Sequence, residues 1–298
     1  MKFFKHAVVV CLFVFMNINP TARAAGDIGV ELVRLKTTDG IVLTGVMRIP
    51  HKAPKNAGVV MIHGYSGNFY SGIMSFLPEA FADRGFTTLA LNMRDHDRGP
   101  KNNRFEDNRH DIAAAVQKMA QLGYNFIFLY GHSMGTNRVL YYLAESRDPR
   151  IKGLLLTAPP GNLFEWNIHI FGIETATRVL RQAQDLVANG KGDQWMLIDL
   201  GPLGKALYTA DHVVSLRGPD TVSDPYRNIA RISKPVLIVH GLTDRLACPE
   251  VADRLRNSRT SSTDVTVLKI PDADHRFSNH QEKLASALSR WMMEQINP

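Results

Sequence analysis

An α/β fold with a mostly parallel central sheet is predicted by two observations. Short apolar runs of strand length recur along the chain, at Gly58 to Ile62, Thr87 to Leu91, Phe126 to Tyr130, Ile151 to Thr157, Val236 to Val239 and Val265 to Ile270. Stretches of helix length with amphipathic spacing separate them. The runs are apolar throughout rather than alternating, as expected of strands covered on both faces, and parallel strands need crossovers of this length. With 298 residues, 45% of them hydrophobic, the chain can bury one large core in a single domain.

Taken in order, the segment from Glu31 to Pro50 reads as two strands around a turn at Thr38-Asp39-Gly40. Ile41, Leu43 and, less regularly, Val46 mark its apolar face, as in an antiparallel edge hairpin. Ile112, Ala115, Val116 and Met119 share one helical face, and Leu284, Leu288, Trp291 and Met292 share another near the C-terminus. The rhythm breaks once. More than seventy residues separate the run ending at Thr157 from the next at Val236, too many for an ordinary crossover. Roughly Gly161 to Tyr226 therefore reads as an inserted cap. Its Phe164, Trp166, Phe171, Trp195 and Tyr208 either line a pocket or form a small core of their own. Glycine turns punctuate it at Asn189-Gly190 and Leu200-Gly201-Pro202-Leu203-Gly204.

The N-terminus follows different rules. Lys2 and Lys5 precede an apolar run from Ala7 to Met16, and small residues then lead to Ala22-Arg23-Ala24. This is the pattern of a signal peptide over residues 1–24, with the mature chain starting near Ala25 and exported to a periplasm or beyond the cell. The run falls far short of the roughly 20 apolar residues that span a bilayer, so no stable membrane anchor is expected. Cys11 follows Val8-Val9-Val10 and lacks the small residue that precedes a lipidated cysteine. Without this segment Cys248 is the sole cysteine, which excludes an internal disulfide and fits a small packing residue. Removing the charges of Lys2, Lys5 and Arg23 lowers the net charge from +7 to +4. The remaining basic residues are scattered among acidic ones, so no nucleic-acid surface is expected.

Chemistry concentrates at Gly131-His132-Ser133-Met134-Gly135, placed between the run ending at Tyr130 and a stretch of helical spacing with Val139, Leu140 and Leu143. A strand–G-x-S-x-G–helix order implies a strained turn that exposes the Ser133 hydroxyl at a helix N-terminus. A serine hydroxyl is a poor nucleophile at neutral pH, so a base and an orienting acid must follow. After the run at Val236 comes His240-Gly241-Leu242-Thr243-Asp244, and after the run at Val265 comes Pro271-Asp272-Ala273-Asp274-His275. Glu250 and Asp272 are the substitutes for Asp244. His280 competes with His275 but is expected to begin the last helix, and Asp274 is expected to serve local turn hydrogen bonds.

On these residues the chain is identified as a member of the α/β-hydrolase superfamily from about Glu31 to the last helix. Its elbow is similar to those of monoacylglycerol lipases and small esterases. His63-Gly64-Tyr65-Ser66-Gly67-Asn68 resembles the H-G-F-T-G-N loop of cinnamoyl and feruloyl esterases. The resemblance implies Ser133 as nucleophile, Asp244 and His275 as its acid and base, and the Tyr65 and Met134 N–H groups as oxyanion donors. It implies structural roles for His63 and His132, and it calls for no cofactor. Asn92-Met93-Arg94-Asp95-His96-Asp97 departs from the D-x-R-G-H-G of relatives and implies a reshaped loop near the pocket. Asp95, His96, Asp97 and Asp107 match no zinc spacing and are expected in a solvated loop. A small-molecule ester with a medium-sized or aromatic acyl group is the first expectation. A lipase, a thioesterase, a peptidase or a non-catalytic binding protein on the same fold stay open, as does the oligomeric state.

Overall fold

The computed structural model describes residues 27–201, 204–218, 220–260 and 264–297. The signal-peptide pattern lies outside them, as do Pro202 and Leu203 of the second glycine turn. The strands are Ile28–Lys36 (β1), Val42–Pro50 (β2), Ala57–Ile62 (β3), Thr87–Leu91 (β4), Phe126–His132 (β5), Ile151–Thr157 (β6), Trp195–Asp199 (β7), Lys205–Thr209 (β8), Val236–Gly241 (β9) and Val265–Ile270 (β10). All but β7 and β8 join one sheet in the order β1-β2-β4-β3-β5-β6-β9-β10. β2 runs antiparallel to both β1 and β4, and every other pair in the sheet is parallel.

The helices are Leu77–Ala82 (α1), Asn108–Gln121 (α2), Met134–Ser146 (α3), Leu163–Phe171 (α4), Ile173–Ala188 (α5), Ala210–Arg217 (α6), Pro225–Ala230 (α7), Glu250–Asn257 (α8) and Gln281–Ile296 (α9). β3 and β4 are buried along their whole length. Alternate residues of one strand feed two separate cores, as the two-residue period of a strand requires. Val60 and Ile62 pack with Ile112, Val116 and Met119 of α2 and with Leu140 of α3, while Val59 and Met61 pack with Phe81 of α1 and Leu288 and Met292 of α9. The two predicted amphipathic helices thus cover opposite faces of the sheet.

The edge hairpin forms as expected, with Leu35 opposite Leu43, but its apolar phase differs from the sequence expectation. Leu43 and Met47 are buried; Ile41 precedes the strand and is exposed, and Val46 falls on the opposite, half-buried face.

Between β6 and β9 the chain forms α4, α5, the antiparallel hairpin β7-β8, α6 and α7. Met196, Ile198, Tyr208 and Val213 build a small core there, with Phe171 against it. Ties to the main sheet come from loops at strand ends. Lys101 N donates to Leu207 O and Thr209 N to Lys101 O, both at 3.0 Å. Trp166 Nε1 donates to Leu246 O at 2.6 Å, beyond β9, and Tyr208 donates to the Tyr65 hydroxyl at 2.5 Å, beyond β3. Its aromatics therefore divide: Phe171 and Tyr208 belong to the local core, Trp166 reaches the cleft described below, Phe164 is half-buried and Trp195 is exposed.

The turn after β5 leaves no room for side chains. A Cβ at Gly131 would lie 2.5 Å from Gly135 O, and one at Gly135 would collide with Ile62 O of β3. Gly131→Ala is expected to lower unfolding free energy by at least about 2 kcal/mol, an overpacking cost read from chemical denaturation. An unchanged denaturation midpoint would show that the turn has slack the geometry denies it.

Candidate active site

Ser133 holds φ 52° and ψ −127°, a backbone state that costs on the order of 1–3 kcal/mol outside glycine. Its neighbours sustain it. Ser133 N donates to Thr157 O of β6 at 2.9 Å, and its carbonyl accepts from Thr136 N at 2.9 Å and Thr136 Oγ1 at 2.7 Å. Gly64 lies so close that a Cβ there would be 2.9 Å from the Ser133 Cβ. Among the described residues, neither Tyr65 N nor Met134 N donates to a protein acceptor. Met134 is the first residue of α3, whose leading N–H groups have no partner inside the helix.

Asp244 follows β9 and is held from four directions. Oδ1 accepts from Leu246 N at 2.8 Å and Ala247 N at 2.9 Å; Oδ2 contacts His275 Nδ1 at 2.7 Å and His240 Nε2 at 3.2 Å. Burial opposes ionisation, but the bonds from His240, His275 and Ala247 outweigh it and hold the carboxyl well below the ordinary carboxylate range. With Nδ1–H donated to this carboxylate, His275 keeps Nε2 free. Its side chain is slightly open and lines a cleft of about 260 Å³ together with Ser133, Gly64, Tyr65 and Trp166. A larger hollow of about 880 Å³ along α5 shares no residue with this cleft.

The competing residues lie apart from this arrangement. Glu250 opens α8, and Asp272 is exposed with φ 58°. His280 caps α9, its Nδ1 bonded to Ser278 O at 3.0 Å, and Asp274 accepts from Arg276 N and Ser278 N within its own turn. His63 is locked on both nitrogens, donating from Nδ1 to Gly64 O at 2.7 Å and accepting from Met93 N at 3.1 Å. Burial brings its pKa down to about 3. His132 contacts Thr157 Oγ1 through Nδ1 at 3.1 Å, with its ring 5.0 Å from that of His275. Burial again favours its neutral form.

Two expectations need correction. Asp95, expected in a solvated loop, is 5% exposed and grips Arg138 of α3 through both carboxylate oxygens, at 2.7 and 2.6 Å. Arg138 is fully buried and also donates to His63 O at 3.2 Å. A buried guanidinium needs a counter-ion, and Asp95 supplies it. The same loop turns at Asp97, where Asp97 N donates to Gly67 O and Asn68 Nδ2 to Asp97 Oδ1, and Arg98 then reaches the cleft. An arginine five residues after the nucleophile, within an apolar helix, was the available signal. Cys248, expected as a packing residue, is exposed in the turn before α8, with Sγ 4.0 Å from His169 Nδ1. Partial desolvation and Glu250 push its thiol pKa up.

A model of the alpha/beta hydrolase family matches residues 59–287. The chain belongs to this family. An uncharacterized abhydrolase domain-containing protein of Dictyostelium discoideum is 22% identical over 269 residues, covering 80% of this chain and 26% of that protein, so this α/β hydrolase spans about a quarter of its relative's length. Est1E from Butyrivibrio proteoclasticus, solved with ferulic acid bound, superposes with a TM-score of 0.71 at 22% identity, covering 89% of this chain and all of that one. An esterase from Pyrococcus furiosus gives 0.65 at 16% identity, over 89% of this chain and 91% of its own. At these identities the likeness to the two structures concerns the fold.

Two outcomes follow. Arg138→Met is expected to cost about 3–5 kcal/mol of stability by stranding Asp95, and adding Asp95→Leu should recover a large part of it; additive losses in denaturation would contradict a coupled pair. His212 on α6 is buried, with Nδ1 bonded to Asn103 O at 2.7 Å, and desolvation lowers its pKa from 6.5 to about 4. Between those values the unfolded chain binds a proton that the folded chain refuses, so stability falls as pH falls. His212→Gln should flatten the dependence of unfolding free energy on pH there by about 1.4 kcal/mol per unit.

Proposed function

We propose that this α/β hydrolase cleaves carboxylic esters through an acyl-enzyme intermediate, with Ser133 as nucleophile, His275 as general base and Asp244 as the residue that orients the base. The observation that carries the reading is the 2.7 Å contact between the buried, ionised Asp244 and Nδ1 of His275, whose ring lines the cleft that also holds the strained Ser133. The presence of esterases among its structural neighbours supports an ester substrate.

In the first step Ser133 Oγ bonds to the ester carbonyl carbon while His275 Nε2 takes the hydroxyl proton. The carbonyl oxygen becomes an oxyanion, and the unpartnered N–H groups of Tyr65 and Met134 are the donors that would receive it. Collapse breaks the bond to the alcohol oxygen, which leaves with the proton from His275. Water then adds to the acyl-enzyme, giving its proton to His275, and Ser133 recovers that proton as the carboxylic acid departs. Asp244 stays ionised throughout and stabilises the imidazolium. We propose further that the chain is exported after loss of residues 1–24, on the strength of the Lys2 to Ala24 pattern, and acts on a small molecule without a cofactor.

Reaction of the folded protein with a fluorophosphonate, followed by mass spectrometry, is expected to give one adduct on Ser133. Ser133→Ala should abolish it and lower kcat on a p-nitrophenyl ester by about 10³-fold or more. Folded protein that neither labels nor turns over any ester would instead favour a binding protein on a hydrolase fold. Thioester or peptide turnover with inert esters would move the chemistry to another acyl bond.

A further inference from the structure

Arg217 ends α6 and is 4% exposed. Its guanidinium carbon lies 5.9 Å from the ring centres of both Trp166 and Tyr208. Nη1 donates to Asn167 Oδ1, and the buried Nε has no hydrogen-bond partner. Arg138, the other arginine buried to this degree, also has an unpartnered Nε but is neutralised by Asp95, and the half-buried Arg94 pairs with Asp39 and Asp111. Among the described residues Arg217 forms no ion pair. A buried cation with no counter-ion is costly, and such groups concentrate where a ligand supplies the missing charge.

Its position says which ligand group that is. Arg217 lines a small cavity with Tyr65, Ser133, Met134, Leu163 and Trp166. The larger cleft shares Tyr65, Ser133 and Trp166 with this cavity, but His275 lines only the cleft. The leaving alcohol must receive its proton from His275, so it departs through the His275 side, which leaves the Arg217 cavity for the acyl chain. Among the described residues no Asp or Glu lines either space, and Arg98 and Arg276 line the larger one. The acyl cavity is small, and Ser133 and Arg217 both line it, so a short chain bonded at Ser133 is the kind that ends at the guanidinium.

We propose that Arg217 is a specificity-determining residue that receives a carboxylate at the far end of a short acyl chain, making the preferred substrates hemiesters of dicarboxylic acids. The guanidinium, with Nη1 held by Asn167, keeps charge-assisted Nη donors for a carboxylate, and the aromatic rings beside it keep water out. The inference rests on the ester-hydrolase reading and adds the class of acid released.

The test compares 4-methylumbelliferyl hydrogen succinate with 4-methylumbelliferyl butyrate, which share a leaving group and differ in the terminal carboxylate. Charge-assisted hydrogen bonding predicts a wild-type kcat/KM at least about tenfold higher for the succinate. Arg217→Met should lower that succinate-to-butyrate ratio by about 30-fold or more, and Arg217→Lys should restore part of it. A purely structural arginine would lower both rates and leave the ratio unchanged. If Arg217→Met does not fold, free succinate slowing fluorophosphonate labelling of wild-type Ser133 more than butyrate does supports the proposal, and equal slowing overturns it. Butyrate turnover with no preference for succinate overturns the carboxylate proposal and leaves the hydrolase reading standing. No turnover of either ester, with Ser133 unlabelled, overturns both.

Discussion

Backbone lies directly on backbone where β5 turns into α3. Ser133 holds its left-handed conformation because Gly131 and Gly135 let the strand, the helix and the end of β3 meet without side chains between them. That approach places Gly64 against the serine and leaves the N–H groups of Tyr65 and Met134 without protein acceptors. The parallel sheet supplies what the turn needs. Its central strands end side by side, so the loops after β3, β5, β9 and β10 converge although their residues are distant in sequence.

Two buried arginines show how charge is used around that turn. Arg138 is neutralised by Asp95 and also holds the carbonyl of His63, so one ion pair joins α3, the loop after β4 and the loop after β3. A buried pair of this kind adds little net stability, but its geometry fixes which loops lie together. Arg217 has the same burial without the neutralising partner, and it lies in a cavity that Ser133 also lines. Burial also keeps His63, His132 and His212 neutral, so each serves as a hydrogen-bonding wedge. Asp244 is the opposite case: two histidines and two backbone N–H groups keep it charged in spite of burial.

The segment between β6 and β9 meets the rest of the molecule through hydrogen bonds and through an apolar cluster of Phe105, Met134, Tyr141, Leu163 and Leu216, and it carries a core of its own. Tyr208 belongs to that core while its hydroxyl reaches Tyr65, and Trp166 reaches the loop that holds Asp244. The inserted segment and the candidate site are therefore joined through Tyr65 and through the loop that holds Asp244.

Sequence by itself determined the sheet, the two faces of helices and the positions of Ser133, Asp244 and His275, because strand runs, helical spacing and the glycines of the turn are local signals. The separation of His275 from His280 was legible for the same reason, since a helix start and a loop differ in local pattern. Only the tertiary structure decided the partners of buried charge. Asp95 and Arg138 are 43 residues apart and look like ordinary polar residues until the loop and helix are packed together. The division of the inserted aromatics, the exposure of Cys248 and the unpaired state of Arg217 were hidden likewise. Burial and ion pairing depend on which distant segments meet, and no local spacing encodes that.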